Sequence, residues 1–165
     1  AVSPGNEGSL ANLADQRLIF TDLPAGSLEE VLTEMSRRLA AAGAVPDGEE
    51  LKRRLLERER LGCTGLGGGV AIPHCKIRGI SDIVFSIGSA PAGVDFHAAD
   101  GIPVTLIFLI LSPADAPAAH LQALARISRL LKAPGAADSL RAARDPEQVL
   151  TALKEAEAGQ AVVNR

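Results

Sequence analysis

The chain has 165 residues, with 17 Lys and Arg against 20 Asp and Glu and a formal net charge of −3, a length that suits one domain burying about 70% of its unfolded surface. Four Phe, no Tyr and no Trp supply neither the positive field nor the stacking platforms of a nucleic-acid binder. The longest apolar run, Val104 to Leu111, is far short of the ~20 residues of a membrane helix, no secretory signal pattern opens the chain, and Cys63 and Cys75 do not make a disulfide framework, so the expected setting is soluble, reduced and cytoplasmic, without membrane insertion.

Residues 1–9, with Pro4, Gly5 and Gly8, read as a flexible leader, 10–157 as the folded domain and 158–165 as a frayed C-terminus. Arg17 to Phe20 predicts a short strand, closed by the turn-forming Asp22-Leu23-Pro24-Ala25-Gly26. Ser27 and Glu30 make a capping box ahead of Leu28, Val31, Leu32, Met35 and Leu39 at helical spacing. Gly43 stands where a helix end takes a left-handed residue, and Pro46 prevents continuation. Asp47 and Glu50 open a second, charged helix carrying Leu51, Leu55 and Leu56, which Gly62 stops after Leu61.

The Gly-rich stretch 65–69 reads as a turn feeding a strand, Val70-Ala71-Ile72, which is expected to terminate at Pro73-His74 because proline cannot donate to a sheet ladder. Asp82 to Ser89 alternates Ile83, Phe85 and Ile87 as a strand. Val104 to Leu111 is apolar on both faces and predicts a central strand covered by helices on each side. Pro117 starts a helix whose expected core stripe is Leu121, Leu124, Ile127 (or Ser128) and Leu131. A short helix follows around 137–143, and Asp145-Pro146 opens a last helix with Val149, Leu150 and Leu153. The class is α/β, a sandwich of sheet and helices.

Three histidines are candidates for chemistry. His74, at a constrained strand end facing a cleft, is either a reactive imidazole or a plain surface residue. His120 lies beside the apolar face one turn into its helix, where it is either half-buried and satisfied by a carbonyl or a donor to an anion at a helix N-terminus. His97, in a loop, reads as surface. Arg58 is nominally part of a solvated, basic helix face. The glycines of 65–69 fit neither nucleotide-binding loop: no Lys-Ser/Thr pair or helix follows, and Val70 replaces the last glycine of the dinucleotide fingerprint. Cys63, His74 and Cys75, with or without His120, match no zinc spacing, so neither a metal nor a cofactor is expected. A Cys–His nucleophile is open on paper, but neither thiol has an activating setting, and a small hydrophobe is the expected role.

Arg58-Glu59, followed by Thr64-Gly65-Leu66-Gly67-x-Gly69-Val70-Ala71-Ile72-Pro73-His74, resembles the signature of the type-2 enzyme IIA domains of the bacterial phosphoenolpyruvate-dependent phosphotransferase system. These comprise fructose- and mannitol-type sugar domains and nitrogen-regulatory IIA proteins. Gly93-Val94-Asp95-Phe96, Asp100-Gly101-x-Pro103-Val104 and His120-Leu121-x-x-Leu124-Ala125 are similar to the later blocks of the family, in the same order. The resemblance implies a mixed sheet of about five strands sandwiched between helices, the mannitol-type IIA fold. It implies that His74 accepts a phosphoryl group from an HPr-like carrier as phosphohistidine, with His120 and Arg58 stabilising the phosphate. Thr64, Gly65, Gly67, Gly69 and Pro73 then form the supporting loop, the glycines leaving room for a partner to dock. Such a chain is a phosphotransferase component rather than a stand-alone enzyme.

Cys63, Gly68, Cys75 and His97 depart from the usual residues of the family. Loss of the Asn common at 68 bears on loop rigidity, and two thiols beside the site raise the question of redox sensitivity. With no IIB or IIC domain fused to it, the chain is expected to be a nitrogen-type regulator whose phosphorylation state controls binding to a target protein. A sugar-specific IIA component that passes phosphate to a IIB partner is the alternative, and a binding domain that has lost transfer is a third.

Overall fold

The computed structural model describes residues 9–163, with side chains described through Gly159. A short helix α1 (Leu10–Leu13), N-capped by Ser9, precedes strand β1 (Ala14–Phe20), which starts three residues earlier than the apolar pattern suggested. The two-residue β2 (Gly26–Ser27) leads into α2 (Leu28–Ala41), where Ser27 and Glu30 form the expected reciprocal capping box. Gly43 sits at φ +77 just past that helix, the left-handed conformation that glycine adopts without steric cost. Asp47 caps α3 (Gly48–Leu61) through the amides of Glu49 and Glu50.

The segments β3 (Gly65–Gly67), β4 (Val70–Ala71) and β5 (His74–Ile77) follow, then the long β6 (Val84–Asp95) and β7 (Val104–Pro113). Three helices complete the chain: α4 (Pro117–Lys132), α5 (Ala136–Ala142) and α6 (Pro146–Val163). Helical backbone thus reaches Val163, past the start of the tail expected at 158; the expected leader falls outside the described residues except for Ser9. No described helix is long and apolar enough to cross a membrane.

The sheet order is β1-β6-β7-β4-β3, with β2 also on β6 and β5 also on β7. Its seven segments occupy five lanes. Ile19 and Phe20 pair with Ile87 and Gly88, while Gly26 and Ser27 pair with Val94 and Asp95 in the same register, so β1 and β2 are one interrupted lane. Val70 and Ala71 pair with Leu106 and Ile107, and His74 and Cys75 with Ile110 and Leu111, again in constant register. The strand therefore does not terminate at Pro73-His74. Proline interrupts it, donating nothing, while its carbonyl accepts from the amide of Ile110 at 3.0 Å, and pairing resumes at His74. Lane β1/β2 is parallel to β6, β6 antiparallel to β7, β7 parallel to β4/β5, and β4 antiparallel to β3. This is the expected mixed sheet.

Strand β7 divides the core. Ile107, Leu109 and Leu111 pack with Val31, Leu32, Met35, Leu51 and Leu55 of α2 and α3. Leu106, Phe108 and Ile110 pack on the other face with Ile127, Leu130, Leu140, Val149 and Leu153 of α4, α5 and α6. A strand with period-two side chains and a helix layer on each side must be apolar throughout, which is why the run 104–111 was readable. The face of α4 differs from the expected stripe by one position: His120, Ala123, Ile127 and Leu130 are buried, whereas Leu121 is 67% exposed. Packing against the sheet, not the position of the largest aliphatics, sets the rotation of that helix.

Candidate functional site

The two helix layers meet at the end of lane β4/β5. In-register parallel neighbours point to the same side of a sheet, so His74, opposite Ile110, faces α4, and Cys75, opposite Leu111, faces α3. His74 is half-buried, and its Nδ1 lies 2.7 Å from the carbonyl oxygen of Ile72. A carbonyl only accepts, so Nδ1 carries a proton and, in the neutral imidazole, the lone pair lies on Nε2. This is the acceptor that the sequence could not supply: a backbone oxygen two residues before the ring, aimed at it by the intervening Pro73.

His120, in the first turns of α4, is 8% exposed. Its ring centroid lies 5.3 Å from that of His74, with the planes tilted by 55°. Its Nδ1 is hydrogen-bonded to the hydroxyl of Ser112, which is fully buried on β7. Burial lowers the His120 pKa from 6.5, with further lowering from His74, Lys76 and Arg58; a second charge in this desolvated spot is disfavoured, and the ring is neutral at pH 7.

The C-terminus of α3 supplies the third side of the site. Arg58 is half-buried, within electrostatic reach of His120, and its Nη1 donates to the carbonyl of Gly62 at 2.9 Å. The carboxylate of Glu59 accepts from the Thr64 amide at 3.2 Å and also from the Thr64 hydroxyl. The carbonyl of Thr64 then accepts from the amide of Ile72 at 3.0 Å. Glu59 thus clamps the link between α3 and β3, and that link holds the residue whose carbonyl orients His74.

Thr64 and Gly65 lie beside Ile72 and Ala71, close to the imidazole. Gly67, Gly68 and Gly69 do not. They form the β3–β4 hairpin turn at the opposite end of β4, with φ of +87, +65 and +79, and the five residues from Gly69 to His74 span roughly 16 Å at strand rise. Their glycines serve the turn rather than room beside the ring. The turn is pinned even with Gly at 68: the Gly68 amide donates to Asp100 at 2.8 Å, and Arg141 donates to the Gly68 carbonyl and, at 3.0 Å, to the Thr105 hydroxyl. The two backbone donors from Gly68 and Ile102 hold the Asp100 carboxyl below the usual range.

His97 is in an exposed loop at φ +56, its amide bonded to Asp95. Cys63 is exposed and donates to the Phe96 carbonyl at 3.2 Å. Cys75 is half-buried against the α3-side core, and desolvation pushes its thiol up to about 12, so it carries no thiolate at neutral pH. Among the described residues no group of three or more His, Cys, Asp or Glu is placed to hold a metal ion. Sequence reasoning gave no role to Ser112, Glu59 or Lys76. A lone serine directly after the apolar run 104–111 was the available signal for Ser112.

The sequence model of the family described as "Phosphoenolpyruvate-dependent sugar phosphotransferase system, EIIA 2" matches residues 12–156. A nitrogen regulatory protein of Bradyrhizobium diazoefficiens is 39% identical over 147 residues, covering 87% of this chain and 94% of that protein. A fructose-specific EIIA component of Haloferax volcanii is 32% identical over 146 residues, covering 88% and 95%. The crystal structure of nitrogen regulatory protein IIA-Ntr from Neisseria meningitidis superposes with a TM-score of 0.79 at 30% identity, covering 87% of this chain and 98% of that one. The chain therefore belongs to the type-2 EIIA family of the phosphoenolpyruvate-dependent phosphotransferase system.

Proposed function

We propose that this IIA-type phosphocarrier accepts its phosphoryl group on Nε2 of His74, from an HPr-like carrier protein, and acts as a nitrogen-type regulatory protein. The supporting observation is the hydrogen bond from His74 Nδ1 to the Ile72 carbonyl. In the neutral imidazole this bond leaves the lone pair on Nε2, the form needed for a nitrogen nucleophile. The lone pair of Nε2 attacks phosphorus in line; the donor's phosphorus–nitrogen bond breaks as the new one forms, and the donor's nitrogen keeps the electron pair.

The charge on the three equatorial oxygens needs donors. Arg58 offers a planar fork, His120 one N–H, and Lys76 adds a positive charge nearby. Desolvation of His120 keeps that ring neutral, so it donates without itself competing as a protonated acid. No metal has a part in this scheme. Phosphorylation places a charge of about −2 at the mouth of the site, enough to make or break an interface with a target protein by electrostatics.

The regulatory reading is favoured by the nitrogen regulatory protein being the more similar of the two curated relatives. The sugar reading, in which phosphate passes to a IIB partner, draws on the family description and on the fructose-specific relative. Discharge of the phosphorylated chain separates them. Phosphate retained in the presence of fructose- and mannitol-type IIB domains is expected, with binding to a non-transport protein that differs between the two states. Rapid loss to a IIB domain would move the sugar reading to the front.

A further inference from the structure

The hydroxyl of Ser112 is fully buried, and its hydrogen-bond partner among the described residues is Nδ1 of His120. A hydroxyl has one proton to give and lone pairs to receive one. Were the proton on His120 Nδ1, the serine would act as acceptor and its own buried O–H would have no acceptor among the described residues. If the serine donates instead, no proton is orphaned and only lone-pair capacity goes unused, the arrangement that buried groups adopt. His120 is neutral and carries a single N–H, so that proton resides on Nε2, the nitrogen away from Ser112.

We propose that Ser112 is a positioning residue for phosphoryl transfer: by donating its buried hydroxyl proton to His120 Nδ1, it fixes His120 as the Nε2–H tautomer and turns it into a phosphate donor. The paired rings then carry opposite tautomers. Ile72 holds His74 with its proton inside and a bare nitrogen outside; Ser112 holds His120 with a bare nitrogen inside and its proton outside. The register of the sheet makes this possible, since Ser112 lies opposite Lys76, two residues along the lane from His74, on the face turned towards α4.

The tautomer assignment stands apart from the phosphocarrier reading; only its consequence for transfer rests on it. The test is long-range proton–nitrogen-15 correlation of the histidine rings in the unphosphorylated protein at neutral pH. It is run on the wild type, on Ser112→Ala, which removes one oxygen, and on Ser112→Thr, which restores the hydroxyl. The wild type is expected to show a single Nε2–H tautomer for His120 and Nδ1–H for His74. Ser112→Ala is expected to gain an Nδ1–H population at His120 alone and to lose about tenfold in the rate of phosphoryl uptake, with the KM for the carrier unchanged. Ser112→Thr is expected to recover both readouts. An Nδ1–H tautomer at His120 in the wild type overturns the proposal whatever the variants do, as does an unchanged tautomer in folded Ser112→Ala. A wild-type chain that takes up no phosphate but shows the expected tautomers defeats the phosphocarrier reading and leaves the tautomer assignment standing.

Discussion

A proton on His120 is unfavourable in the folded chain and ordinary in the unfolded one, because burial and the neighbouring His74, Lys76 and Arg58 depress the folded pKa below 6.5. As pH falls below 6.5 the unfolded state takes up protons that the folded state does not, so stability declines through that window and levels off once pH is below the folded pKa. Urea midpoints measured on both sides of pH 6.5 are expected to show this decline in the wild type and a smaller one in His120→Gln; equal slopes would contradict the assignment. Arg58 acts at the same scale. Truncating it to Ala is expected to slow phosphoryl uptake about 10–100-fold, the equivalent of ~1.5–3 kcal/mol for a charged hydrogen bond. Arg58→Lys is expected to recover only part of this, since a point charge replaces a planar fork; an unchanged rate in Arg58→Ala would remove it from the site. His74 and His120 could be weighed in the sequence because an imidazole is chemically distinctive, whereas Arg58 read as part of a solvated helix face and was singled out by the family resemblance. The Ile72 carbonyl could not, since every residue has one, and Ser112 reaches His120 only through strand register and the rotation of α4.

Two loops depend on single residues in ways that can be separated. Glu59 satisfies both the amide and the hydroxyl of the buried Thr64. Glu59→Ala is expected to cost about 1–3 kcal/mol by leaving those donors without an acceptor, read as a lower urea midpoint and as faster hydrogen exchange at the Ile72 amide; unchanged exchange there would mean that the clamp does not reach the His74 support. In the hairpin turn, Gly68 has open space at its Cβ position and φ +65, whereas a Cβ at Gly69, at φ +79, would lie 3.1 Å from the Arg141 guanidinium and 3.3 Å from the Pro103 carbonyl. Gly68→Asn is therefore expected to stay within about 0.5 kcal/mol of the wild type, because Asn tolerates the left-handed region. Gly69→Ala is expected to lose about 1–3 kcal/mol, and thermal melting of the pair that ranked them the other way would contradict the turn geometry. Both helix caps at Ser27 and Asp47 were legible, because capping is a local exchange between neighbours. The face of α4 and the hairpin β3–β4 were not: one is set by the sheet it packs on, the other by backbone pairing of glycines that carry no side-chain pattern.

At the scale of the molecule, the site exists because both layers and the sheet converge on it. Lane β4/β5 brings His74, α3 from one layer brings Arg58 and Glu59, and α4 from the other brings His120. The apolar run of β7 exposed this plan in the sequence, since only a strand covered on both faces needs such a run; the interruption of two lanes by short breaks did not show, because the apolar pattern carries no record of register. Weighing the intact protein after incubation with phosphoenolpyruvate, enzyme I and an HPr-type carrier, beside a His74→Ala control, tests most directly whether this convergence makes a phosphoryl carrier. Gain of one acid-labile phosphate by the wild type and none by His74→Ala is the predicted result. No gain with a panel of HPr-type donors, or a gain that survives in His74→Ala, would contradict it.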